Sequence, residues 1–410
     1  MFLFNTIMNM RNLILLFLST LPMVGVKASV LGIFENTNLP AGNSYECGGV
    51  HRLEIVDDEL YAATEKGIYK YSESENSWTC WAMEDYNVLD FKAKGDDIVA
   101  IVVPQDREGF RAVEVAKLVR ANRNCSEVED IMDGGMGYSY RGKRLTYVMR
   151  LAQHPAKPAT LMVAAYPGVW ISEDFGTTWI LKTEGLYGYN ENQFLGWHPL
   201  KENVLFYTSE SPMFAAQIMR SENGGDDWDI IDPDQSGDNS CHHLAFDPSN
   251  ADHILYSGEG CIFESNDCGK TWEDVFQHDV FEGNYIYNVM FDPSNAGTVY
   301  AVACCPNPQN IRIFMSSDNG KSWASIAESD SFSEFEYWEY ESVLFNGKIF
   351  IYTHSGVLTY DIDDVSAISD VQTVGDDKSA PVVYDVWGRN VGNMRSGNLY
   401  IKHGKKFIAR

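Results

Sequence analysis

The chain has 410 residues, 45% of them hydrophobic, enough to bury a sizeable core in one large domain with small appendages. Its 31 lysines and arginines face 58 aspartates and glutamates, a net charge of −27. Such a chain repels nucleic acid and anionic membrane surfaces, so neither is expected as a partner.

Met10-Arg11-Asn12 forms a short basic stretch, Leu13–Leu18 and Leu21–Val26 an apolar core, and Val26-Lys27-Ala28 supplies small residues at a cleavage position. That order predicts a secretory signal over residues 1–28, cut after Ala28. The next cysteine is Cys47, which argues against a lipoprotein anchor, and no later stretch is long and apolar enough for a bilayer span. The mature chain is therefore expected to be secreted or held at the cell surface, with the periplasm as the alternative.

From residue 50 onward, short apolar runs alternate with Gly, Asn, Asp and Pro turns, and no helical period emerges. One eight-residue phrase recurs at Ser172–Trp179, Ser221–Trp228, Ser265–Trp272 and Ser316–Trp323, its starts 49, 44 and 51 residues apart. It reads Ser-x-Asp/Asn-x-Gly-x-x-Trp. Its fixed positions are Ser172, Asp174, Gly176 and Trp179, then Ser221, Asn223, Gly225 and Trp228. Ser265, Asp267, Gly269 and Trp272, and Ser316, Asp318, Gly320 and Trp323, complete the set. Each role is structural: the Asp or Asn accepts backbone N–H bonds in the turn, Gly takes a positive φ, and Trp opens the next strand and packs over the hairpin.

Around the phrases lies a longer unit. Phe246–Asn250 and Phe291–Asn295 read Phe-Asp-Pro-Ser-Asn, and His154-Pro155 and His198-Pro199 take the same place elsewhere. Four-stranded units of ~40–50 residues are propeller blades. Seven are counted: Val50–Trp81, Val88–Ile131, Tyr147–Leu181, Gln193–Asp232, Cys241–Gln277, Tyr285–Glu328 and Phe335–Val365. The first keeps a degenerate phrase at Tyr71–Trp78, the second has none. The last, with strands near Ser342–Phe345, Lys348–Thr353 and Gly356–Asp361, lacks a fourth. Ser29–Glu35, followed by the loop Asn36–Gly42, is the expected donor. The expected fold is all-β: a seven-bladed β-propeller over residues 29–365, closed by the mature N-terminal strand.

The octapeptides resemble the Asp-box, or bacterial neuraminidase repeat. Their alternation with Asp-Pro turns is similar to the propellers of sortilin-type receptors, xyloglucanases and photosystem-assembly factors. The resemblance runs from Ser29 to about Val365 and implies the fold; enzymes and binding scaffolds share it, so activity stays open. Sialidase chemistry is disfavoured, because that family's Arg-Ile-Pro motif is missing and the nearest string, Arg312-Ile313, falls inside the sixth blade. Xyloglucanases of this type use two propellers and a longer chain, another departure.

Residues 366–380 read as a polar, acidic linker, and residues 381–410 as a small basic β-element with strands at Val382–Trp387, Asn398–Lys402 and Lys405–Ala409. This tail resembles the C-terminal sorting signal of type IX secretion in Bacteroidetes. The matching residues are Tyr384-Asp385, Gly388-Arg389-Asn390-Val391, Gly397, Leu399-Tyr400-Ile401 and Gly404-Lys405-Lys406. The family's upstream strands are reduced here to Val371–Val374 at most. The resemblance implies the secretion machinery as a partner of the tail.

A ligand is expected at the end of the ring opposite the octapeptides, on the loops Met132–Thr146, Glu184–Asn192, Asp232–His243, Val275–Asn284 and Ser329–Tyr340. These carry or adjoin Tyr138, Tyr140, Arg141, Tyr187, Tyr189, Tyr285, Tyr337 and Trp338. Flat rings stack on sugar faces and Arg fixes hydroxyls, so a glycan or protein ligand is expected; the competing reading packs half of these rings between blades. The acids Asp133, Glu184, Asp279, Glu282, Glu334 and Glu336 lie on or near the same rim, and a glycosidase would need two of them about 5–9 Å apart. No nucleophile motif is present, so no catalytic residue is assigned and a non-catalytic scaffold is favoured over a hydrolase or lyase. No cofactor or metal is expected: Cys241-His242-His243 lacks zinc-site spacing. Of the eight cysteines, Cys261 and Cys268 lie roughly 23 Å apart along one strand and should not pair. Cys241, Cys261 and Cys304 or Cys305 are the better candidates for disulfides.

Overall fold

The computed structural model describes residues 34–39, 50–106, 109–125, 127–148, 150–184, 194–211, 214–231, 242–258, 260–277, 285–306, 309–329, 341–353, 356–362, 383–385, 399–402 and 405–408. Seven four-stranded antiparallel sheets form a ring, a β-propeller. Blade 1 comprises Val50–Val56, Glu59–Thr64, Gly67–Ser72 and Ser77–Ala82; blade 2 comprises Asn87–Lys94, Asp97–Val103, Lys117–Asn122 and Val128–Asp130. Blade 3 is Leu151–His154, Lys157–Ala165, Gly168–Ser172 and Ile180–Glu184. Blade 4 is Leu195–Trp197, Leu205–Ser211, Phe214–Ser221 and Asp229–Ile231. Blade 5 is His243–Phe246, Ile254–Ser257, Cys261–Ser265 and Glu273–Gln277; blade 6 is Tyr285–Phe291, Val299–Pro306, Gln309–Ser316 and Ala324–Glu328. Blade 7 holds Ser342–Phe345, Lys348–Thr353 and Gly356–Asp361, with Glu35–Asn36 on its outer edge. First strands of neighbouring blades touch, so they line the axis.

Second strands are largely apolar on both faces for a physical reason. One core cluster fills each of the seven seams between blades, including a cluster of Leu39, Leu53, Tyr71 and Trp78 with Phe350, Tyr352 and Val357 between blades 1 and 7. A strand between two seams has no solvent side, which explains unbroken runs such as Ile98–Val103 and Leu161–Ala165.

The octapeptides are hydrogen-bonded clips. In Ser316–Trp323 the Ser316 hydroxyl donates to Asp318 Oδ1 at 2.7 Å and accepts the Gly320 N–H at 2.8 Å. Asp318 also accepts the Ser322 N–H at 2.8 Å and its hydroxyl at 2.6 Å. Ser172–Trp179 and Ser265–Trp272 repeat this with Thr178 and Thr271. Ser221–Trp228 reverses the side-chain bond: Asn223 Nδ2 donates to Asp227 Oδ2, so the third residue is the donor and the seventh the acceptor. These bonds hold Asp318 well below the usual carboxylate range, at about 2, with Ser322 and Ser316 as the largest contributors.

Three further features of the clip differ from the sequence expectation. The residue before each glycine, Phe175, Gly224, Cys268 or Asn319, also has positive φ, so two successive left-handed residues make the turn. The glycine also seats against the preceding blade: a Cβ on Gly269 would lie 2.7 Å from the Phe206 ring of blade 4, and one on Gly320 2.9 Å from Leu255 of blade 5. The tryptophans precede the fourth strands, which begin at Ile180, Asp229, Glu273 and Ala324.

At the same end lie the turns between first and second strands. Asp247 and Asp292 accept the N–H two residues on, from Ser249 and Ser294, each at 2.8 Å. His154 and His198 do so through Nδ1, from Ala156 at 3.1 Å and Leu200 at 3.0 Å. The interchange of His-Pro and Asp-Pro follows from that shared acceptor.

Glu35 pairs with Thr359 and Asn36 with Leu358. Pairing within the described residues thus falls at the end of the expected strand and one residue beyond it. Thr37 and Leu39, expected in an exit loop, are buried: Thr37 bonds Val357 O through N–H and hydroxyl and accepts the Trp78 indole N–H at 2.8 Å. Residues 1–33 lie outside the described residues. A short helix, Ala112–Val115, interrupts the second-to-third connection of blade 2. The tail strands Val383–Asp385, Leu399–Lys402 and Lys405–Ile408 form a three-stranded antiparallel sheet in a unit separate from the propeller. Val371–Val374 lies outside the described residues. No helix among the described residues is long and apolar enough to cross a membrane.

Candidate functional site

Between blades 2 and 3 the stretch expected as a loop contains a hairpin, Tyr138–Tyr140 with Lys143–Leu145. Its two-residue turn, Arg141-Gly142, has φ of 50° and 79°, the doubly left-handed geometry that suits strand twist. Met136 beneath it is fully buried. Gly137 N–H bonds Tyr166 O, and Tyr166 N–H bonds Thr146 O, so the hairpin is tied to the second-to-third strand turn of blade 3. That end of the strands is opposite the clips.

Tyr138 and Tyr140 share one face of this strand. Tyr138 stacks on Tyr147 with ring centres 6.3 Å apart and lies 4.8 Å from Tyr166. Tyr140, 45% exposed, meets Phe110 edge-on at 6.4 Å, and the Arg141 guanidinium lies 5.1 Å from its ring centre. Three expected residues therefore gather on one aromatic shelf, joined by Tyr147, Tyr166 and Phe110. Tyr285 sits elsewhere, on the first strand of blade 6, 5.9 Å from Tyr287 and 6.3 Å from the His242 ring. Tyr187, Tyr189, Tyr337 and Trp338 lie outside the described residues.

Among the rim acids, Asp133 Oδ1 accepts the Gly135 N–H at 2.7 Å and shapes the turn into the hairpin. Glu184 ends the outermost strand of blade 3. Asp279, Glu282, Glu334 and Glu336 lie outside the described residues. His242 is buried against Tyr287, and burial holds it neutral, with its pKa pushed down to about 4. No group of three metal-ligating side chains occurs among the described residues. Cys261 lies on the third strand of blade 5, Cys268 in its clip and Cys304 on blade 6; Cys241 is outside the described residues.

A second polar constellation lines the axis. Arg52 Nη1 lies 2.9 Å from Glu341 Oε1, and Arg150 Nη1 lies 3.4 Å from Glu341 Oε2. Lys92 pairs with Glu54 at 2.6 Å. Asp90, fully buried, accepts the N–H groups of Phe91 and Leu151 at 2.7 and 2.8 Å. Burial works against the charged Arg52, but Glu341, Asp90 and Glu54 outweigh it and raise its pKa further. The sequence signal for this cluster was the charged/apolar alternation Arg52-Leu53-Glu54 and Asp90-Phe91-Lys92 on innermost strands.

No family profile matches the chain. Over 93 residues it is 32% identical to a probable oligoxyloglucan-reducing end-specific xyloglucanase of Neosartorya fischeri; the match spans 22% of this chain and 11% of that protein. The GH74 xyloglucanase of Xanthomonas campestris superposes with a TM-score of 0.56 at 16% identity, over 81% of this chain and 54% of the other. YCF48 bound to D1 peptide gives a TM-score of 0.56 at 13% identity, over 81% of this chain and 99% of that one. The chain thus spans about half the length of the solved xyloglucanase and a ninth of the curated one. These likenesses concern the propeller fold.

Proposed function

We propose that the chain is an exported propeller that binds a glycan, or failing that a protein, through the loops opposite its clips. The observation that carries this is the aromatic shelf of Tyr138, Tyr140 and Tyr166 with Arg141, on an inserted hairpin held by backbone hydrogen bonds. Rings held at fixed angles by their neighbours offer stacking area at low entropic cost, as sugar recognition requires. The partial match to a xyloglucanase points the same way. Export rests on the N-terminal segment, and the three-stranded tail is assigned to the secretion machinery.

The second reading is a carbohydrate-active enzyme, a glycoside hydrolase or lyase, and the same partial match favours it. One experiment separates the two. The purified protein is screened on a glycan array, and any hit is assayed for release of reducing ends. Binding without release supports the scaffold, and release supports the enzyme. Binding to no polysaccharide refutes both glycan readings.

A further inference from the structure

We propose that the axial cluster around Arg52 and Glu341 receives the hydroxyl groups of a neutral sugar, as the deep end of the binding site. The inference rests on the glycan reading above. Three polar atoms in this cluster are buried without a hydrogen-bond partner among the described residues: Arg52 Nε, His243 Nδ1 and Asn288 Oδ1. Arg52 Nε has carboxylates only at 3.6 Å, beyond hydrogen-bond length. Asn288, 1% exposed, donates through Nδ2 to Ser342 O at 2.8 Å, which places it beside Glu341 and leaves its carbonyl oxygen over.

His243 feels Arg52 and Arg150, and its ring engages the Val289 backbone. Burial keeps it neutral, with a pKa of about 3. With one nitrogen donating to Val289, Nδ1 is an acceptor. The orphan set is therefore one donor and two acceptors.

Charge decides the ligand class. Arg52, Lys92 and Arg150 balance Glu54, Asp90 and Glu341, so the cluster has no net charge with which to hold an ion. A carboxylate or phosphate offers only acceptors and would face the lone pairs of His243 and Asn288. Neighbouring sugar hydroxyls donate twice and accept once, which matches the set. The cluster is within reach of solvent: the Arg52 side chain is 19% exposed, Glu341 12% and Arg150 11%.

The test uses isothermal titration of the full chain with cellotetraose and a xyloglucan oligosaccharide as neutral probes and tetragalacturonate as the acidic one. His243→Phe and Asn288→Leu, each of which removes an acceptor, should each weaken neutral binding on the order of tenfold, a hydrogen bond's worth, and leave the Tyr140→Ala loss additive. If His243→Phe does not fold, Asn288→Leu carries the comparison. Undiminished neutral binding in these variants, or a preference for tetragalacturonate, overturns the axial assignment. When Tyr140→Ala alone loses affinity, the rim reading stands without it. Absence of binding by the native chain refutes the inference together with the reading on which it rests.

Discussion

Glycine in the clip meets two demands at once, and a pair of substitutions separates them. Gly142 has φ of 79° and open space where a side chain would begin, whereas Gly269 has φ of 81° and the buried Phe206 ring 2.7 Å from that point. Gly142→Ala should therefore cost only the left-handed backbone term, about 1 kcal/mol. Gly269→Ala adds overpacking of the seam, about 1–3 kcal/mol more, read as the difference in urea midpoint between the two variants. Asp318 makes a complementary case. Its folded pKa is depressed, so its contribution is present above the ordinary carboxylate pKa and is lost as pH falls from about 4 towards 2. Asp318→Ala should flatten acid unfolding in that window, followed by tryptophan fluorescence.

The element scale is set by the turn at His198. Burial holds His198 at about 4, against 6.5 when free, so between these values the unfolded chain binds more protons and stability falls as pH drops. His198→Asp keeps the acceptor for the Leu200 N–H, as Asp247 and Asp292 do in blades 5 and 6. It should recover about 2 kcal/mol of the loss between pH 6.5 and 5, measured by denaturant titration at both values. Elements with such local logic were legible: the three strands of blade 7 fall where their apolar alternation and the Asn346-Gly347 turn place them. The Tyr138–Leu145 hairpin was not. Its strands are three residues long, and Arg141-Gly142 lacks the Asn-Gly or Asp-Gly signature that marks such turns.

Across the whole molecule, His51 and His242 at about 4 and His243 at about 3 join His198, each lowered first by burial. Thermal stability should decline progressively below about pH 6.5, and a melting temperature constant from pH 7 to 4.5 would contradict the buried, neutral state of these rings. At the join between blades 1 and 7, Thr37→Ala leaves the Trp78 N–H without its acceptor and should cost about 1–2 kcal/mol. Removing residues 29–39 should lower the melting temperature and, by baring the edge of Gly356–Asp361, produce concentration-dependent association on size exclusion. Ring size was legible because the repeat counts itself. The axial cluster was visible only as alternation, since no local pattern says that Arg52 and Arg150, from two blades, share the Glu341 carboxylate of a third.

The seating of each clip against the blade before it also says where this ring can be cut. A sheet excised at its own first and fourth strands would carry a glycine shaped for Phe206, or for Leu255, into a seam lacking that side chain. The segment that keeps the contact is one and a half blades long: it starts at one second strand and ends six strands later at the clip of the next blade. Grafts, permutations and shuffled copies should be spliced on that frame, which belongs to the joints and not to the sheets.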